Sequence, residues 1–125
     1  MRFLSADFLS SWAHVDRPKI EDAAGIICIK IDGGPDGKLV VSIVMIDGRV
    51  VSAELGSVRG RNLELKMTYE LAASLYRGEV DPAVEYMKGE IKVDGEMALW
   101  LKLLPVWRER FVSQHFMLVP GELIF

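Results

Sequence analysis

One cysteine in the whole chain, Cys28, excludes an intramolecular disulfide and any cysteine-pair zinc site. It stands among isoleucines in a β-branched run, where a thiol behaves as a small hydrophobe. Such sparing use fits a reducing cytosol. Histidine is almost as scarce: His14 and His115 sit at opposite ends of the chain, each beside aromatic neighbours, and read as surface or core-edge side chains. There is no Gly-x-Ser-x-Gly elbow, no phosphate-cradling GxxxxGK[ST] loop and no HExxH helix. No general base for an acyl-CoA or thioester enzyme is in view. The chain reads as a protein without catalytic residues, metal ligands or cofactor.

Long apolar runs are absent too. No stretch reaches the ~18 uninterrupted apolar residues of a membrane span. The opening MRFLSADFLSSW is broken by Ser and Asp and lacks the core of a signal peptide. No basic block exists either. The 15 basic and 18 acidic residues are mixed along the chain, for a net charge of −3. That excludes the footprint of a nucleic-acid binder and a Lys/Arg-faced helix for an anionic membrane surface. The expectation is a soluble, cytoplasmic protein.

What is present in quantity is hydrocarbon. The 125 residues are 50% hydrophobic and 26% charged, and the mean hydropathy is +0.21. A chain of this length is expected to form one domain, residues 1–125, burying roughly two thirds of its unfolded surface. It holds more apolar side chain than one compact core obviously needs, which points to an internal cavity or a partner surface.

Local signals divide the chain cleanly. Residues 4–16 read as a helix capped by Ser5, with Phe8, Trp12 and Val15 along one side and a stop enforced by Pro18. Residues 26–31, 39–46 and 49–55 read as three strands of an antiparallel meander. The DGGPDG run at 32–37 forms the first turn; it joins two strands and opens no helix, so it is no phosphate loop. Asp47-Gly48 makes the second turn, the strongest hairpin signal in the chain. In the third strand Val51, Ala53 and Leu55 share one face, against Val50, Ser52 and Glu54.

Residues 62–67 alternate cleanly as a fourth strand, with Leu63, Leu65 and Met67 inward. Thr68 caps the next helix, which buries Leu71, Ala72, Leu75 and Tyr76 and ends near Gly78. Asp81-Pro82 restarts a short helix through Lys88. Glu79, Asp81, Glu85 and Glu90, nearby, read as capping and solvated charge rather than a calcium loop. Ile91 and Val93 define a fifth strand, and residues 96–104 an almost wholly apolar helix. Pro105 bends or ends it. A further helix over 106–119 would place Trp107, Phe111, His115 and Leu118 on one side. In water, the 96–104 helix must be covered on most sides, by core or by a bound apolar molecule.

The stretch 63–104 resembles the sterol carrier protein two family of small lipid-binding domains. The likeness rests on Met67-Thr68, Leu75-x-x-Gly78, Val80-x-Pro82 and Met87-x-Gly89-x-Ile91-Lys92-Val93-x-Gly95-x-Met97-x-Leu99. The preceding helix and meander follow in the same order. The stretch 105–119 has no match in the family pattern, and Glu122-Leu123-Ile124-Phe125 is no peroxisomal targeting tripeptide. Membership implies an α+β fold: a five-stranded, mainly antiparallel sheet with helices over one face and an apolar tunnel between. It further implies binding of a fatty acyl chain, acyl-CoA, sterol or phospholipid, with no cofactor and no chemistry.

On that basis the expected walls are Leu71 and Leu75 of the middle helix and Met97, Trp100, Leu101 and Leu104 of the apolar helix. Trp107 and Phe111 are expected to form a lid. The competing expectation is an interaction module, whose apolar C-terminal helices pack against a partner chain or a second copy as a homodimer, with no tunnel.

Overall fold

Side chains alternating along five strands build the floor of the molecule. The computed structural model describes residues 1–114 and 118–125. Its strands are β1 (Gly25–Gly34), β2 (Gly37–Ile46), β3 (Arg49–Leu55), β4 (Leu63–Thr68) and β5 (Lys92–Gly95), in the spatial order β3-β2-β1-β4-β5. The helices are α1 (Ala6–Ala13), α2 (Tyr69–Tyr76), α3 (Pro82–Met87) and α4 (Met97–Ser113). The architecture is the expected α+β one. All neighbouring strands run antiparallel except β1 and β4, which pair in parallel.

The register aligns the hydrophobic sides of the strands. Ile27 lies between Ile43 and Leu63, and Ile29 between Val41 and Leu65. Ile31 stands beside Met67. These residues form one inward face, while Lys30 and Glu64 on the other face join in an ion pair at 3.1 Å. The helix caps behave as expected. The Ser5 hydroxyl accepts the Phe8 N–H, Thr68 accepts that of Leu71, and the Asp81 carboxylate accepts that of Ala83.

Several boundaries differ from expectation. Helix α1 stops at Ala13 rather than residue 16, because the Arg17 guanidinium donates to the carbonyls of Trp12 and Val15, at 2.6 and 3.1 Å. Those carbonyls are thereby satisfied without another helical turn. Strand β1 runs on through Asp32 to Gly34, shortening the turn, since β4 offers Asp32 a parallel partner in Thr68. In β3 the pairing slips between Val50 and Ser52, so that Val50 faces Met45 and Val51 is the extra residue. Val50 therefore joins Ala53 on the inner face, and Val51 is turned out, 50% exposed.

The largest correction concerns Pro105. It ends nothing: α4 continues through it to Ser113. The ring removes the donor that the Leu101 carbonyl would use. Leu101 and Pro105 both lie on the exposed side of α4, where water can take that acceptor. The 96–104 segment is accordingly not covered on most sides. Leu99 and Trp100 are buried, whereas Met97 and Leu101 are exposed. The expected helical stretch as far as 119, with His115 on its apolar side, lies partly outside the described residues; Leu118 stands beyond the helix and is exposed.

The β2–β3 turn has positive φ at both Asp47 and Gly48, the geometry expected of an Asp-Gly hairpin. Gly48 is also clamped: its N–H donates to Ala23 O at 2.7 Å, and a Cβ there would lie 2.3 Å from the Ile20 carbonyl. Gly48→Ala is expected to lower the unfolding free energy by about 1–3 kcal/mol, seen as a lower urea midpoint at unchanged slope.

Candidate apolar cavity

Between the inner sheet face and the helices lies a cavity of about 490 Å³. By comparison, a void of roughly 150 Å³ already accommodates benzene, and ligand sites span roughly 300–1,000 Å³. The floor comes from the three central strands, chiefly Ile27, Ile29 and Ile31 of β1, Val41 and Ile43 of β2, and Leu65 of β4. One side is α1, through Phe8 and Trp12. The remaining walls come from Leu75 and Tyr76 of α2, the latter edge-on to Phe8 at 5.3 Å, and from Trp100, Leu103, Trp107 and Phe111 of α4.

Ile29 gives the void physical meaning. It occupies the middle strand, paired on both sides and facing inward, yet it is only half-buried. Its exposed surface looks into the cavity. All three tryptophans, Trp12, Trp100 and Trp107, line the same space. Trp100 is 1% exposed and stacks edge-on with Tyr86 and Trp107, at centroid distances of 5.2 and 6.5 Å. Its indole N–H meets no acceptor among the described residues.

The sequence-expected wall residues divide into three groups. Leu75, Trp100, Trp107 and Phe111 come together around the cavity. Leu71 and Leu104 pack half-buried against the core, outside the lining. Met97 and Leu101 face outward, 40% and 60% exposed. Sequence reasoning left out the whole strand floor and α1, although the inward isoleucines and the Phe8–Trp12 stripe were both legible as apolar faces.

It also left out the polar rim. Arg17, Arg49 and Arg110 reach the lining at one end, together with His14 and Asp16. Arg17 lies 4.1 Å above the Trp12 ring. Burial first, and then the neighbouring Arg110, push its pKa down to about 10, against a smaller pull from Tyr76. Burial also lowers the pKa of Arg110, with Glu109 acting the other way. Both guanidiniums stay cationic at neutral pH. No ion pair engages any of these three arginines among the described residues. Nor do the described residues gather three His, Cys, Asp or Glu side chains that could hold a metal ion.

Comparison with known proteins adds the following. No family model matches the chain. Sterol carrier protein 2 of Gallus gallus is 23% identical over 103 residues, covering 82% of this chain and 17% of that protein. This chain thus spans under a fifth of the curated relative. Among solved structures, the sterol carrier protein domain 2 of Helicoverpa armigera superposes with a TM-score of 0.63 at 24% identity, over 74% of this chain and 73% of the other. Palmitated SCP2L2 from Aedes aegypti gives 0.62 at 14% identity, over 81% and 87%. A crystal structure of sterol carrier protein 2 gives 0.71 at 10% identity, over 92% and 99%. At these identities the likeness is one of fold.

Proposed function

The chain is a sterol-carrier-protein-2-like domain, and from that premise we propose that it binds and carries an apolar, lipid-like ligand in its cavity without transforming it, in the cytoplasm. The observation that carries this reading is the apolar void itself, floored by strand isoleucines and closed by Trp100 and Trp107. Each methylene withdrawn from water contributes about 0.8 kcal/mol. A sixteen-carbon tail therefore gains on the order of ten kcal/mol before ordering costs are subtracted. An acyl chain suits such a cavity, and one structural relative, SCP2L2 from Aedes aegypti, is described as palmitated. No helix among the described residues is long and apolar enough to cross a membrane.

The test is denaturing mass spectrometry of the purified protein, followed by displacement of a fluorescent fatty acid. Co-purifying lipid, or saturable uptake at one probe per chain with a change in tryptophan emission, is the expected result. Absence of both would end the carrier reading. A second reading draws on the outward stripe of α4, where Met97, Leu101 and Val112 are exposed. That face suits a partner chain or a second copy, and concentration-dependent dimerisation without ligand uptake would favour it.

A further inference from the structure

The two edges of the sheet are guarded differently. Helix α1 packs along β3. At the other edge β5 is the last strand, and among the described residues no backbone bond reaches its far side. The Glu96 N–H donates to the Asn62 carbonyl at 2.8 Å. In that register Lys92 and Asp94 turn their backbone groups to β4, while Val93 turns its N–H and C=O to the open side. Shortness and charge are the usual defences of such an edge. Here the order of the charges points to a partner.

On the β4 side, like meets like. Asp94 stands opposite Glu64, and Lys92 opposite Lys66. Glu64 draws its counter-charge from Lys30 and Arg61, at 3.1 and 3.2 Å. Lys92 and Asp94 are exposed and enter no ion pair among the described residues. Like charges directly opposite each other on a ladder are unfavourable, so pairing with β4 gives no reason for either.

Facing outward, Lys92-Val93-Asp94 is complementary to itself. Laid antiparallel on its own copy about Val93, it sets Lys92 opposite Asp94 twice. The same two-fold joins the two Val93 residues through both of their outward backbone groups. The faces agree as well: Lys92 and Asp94 lie on the outer side of the sheet, and half-buried Val93 on the inner. Residues leading into and out of β5 add apolar surface, with Met87 83% exposed and Met97 40%.

We infer that β5 is an interface for a second copy of this chain, the two β5 strands pairing antiparallel about Val93 into one continuous sheet. The contact lies at the edge opposite α1, so the α1 wall of each cavity stays clear of it. It stands apart from the carrier reading and needs no ligand. So short a strand pair makes a small interface, and mass action brings it out only at raised concentration.

Sedimentation equilibrium from about 1 to about 200 µM chain is expected to show monomer and dimer, with association weakening as salt is added. Asp94→Lys and Lys92→Asp each set like charges opposite each other in the self-pair. Each should weaken association by about tenfold or more. Both exchanges also turn a like-charge pair with β4 into an opposite one, so the urea midpoint should hold or rise. Mixing the two variants lays Lys-Val-Lys against Asp-Val-Asp and should restore association as a heterodimer. The chain carrying both exchanges should pair with itself again.

A wild-type chain that stays monomeric throughout would overturn the inference. So would single variants that dimerise as the wild type does, or that remain apart on mixing. Association lost in Leu101→Lys but kept in Asp94→Lys would place the contact on α4 and overturn it too.

Discussion

Replacing Ile29 with tryptophan is expected to weaken binding of a hydrocarbon-tailed probe more than tenfold while the domain stays folded. Ile29 sits at the centre of the floor, on the strand with partners on both sides, and its half-exposed surface borders the void. An indole there would occupy space that the tail needs. Excluding two methylenes loses about 1.6 kcal/mol, already more than tenfold in affinity. In a close-packed core the same enlargement would cost about 1–3 kcal/mol in strain. Here the added ring has a place to go, so the urea midpoint should hold or rise. The two readouts together decide the matter. Unchanged probe affinity would mean that the tail lies elsewhere, and a large fall in stability would mean that the void is not real.

The second large effect is expected at Trp100. Trp100→Ala should reduce the unfolding free energy by about 3–5 kcal/mol, from a total of about 5–15 kcal/mol for a domain of this kind. Trp100 is 1% exposed and joins α4 to Tyr86 and Trp107. Trp107 is only half-buried, so Trp107→Ala should cost clearly less. Trp100→Phe separates ring volume from the polar edge. The indole N–H meets no acceptor among the described residues, so its removal sacrifices no hydrogen bond seen there and relieves a buried donor. Its cost should stay well below that of alanine. Equal losses for Trp100→Ala and Trp107→Ala in urea titrations would contradict the assignment of Trp100 as the anchor of α4.

Much of the fold was legible because its signals act over a few residues. Ser5, Thr68 and Asp81 cap helices through bonds to N–H groups two or three positions on. Asp47-Gly48 turns the hairpin through its own backbone preferences. The candidate site was legible only in part. Leu75, Trp100, Trp107 and Phe111 reach the cavity, but Met97 and Leu101 belong to the same apolar helix and face the other way. An all-round apolar helix carries no mark of which side meets the sheet. Pro105 added to the ambiguity, since a helix break there would have reset the face of everything after it.

By itself, then, the order of residues determined the strands, the caps and the turns. Each of these depends on neighbours in the chain or on composition. Only the tertiary structure decided that β4 lies parallel to β1, that the bulge at Val51 turns Val50 inward, and that Arg17 and Arg110 meet at one mouth. These depend on how distant segments close over the sheet. A void is a relation among side chains from several elements, set by what they leave unfilled.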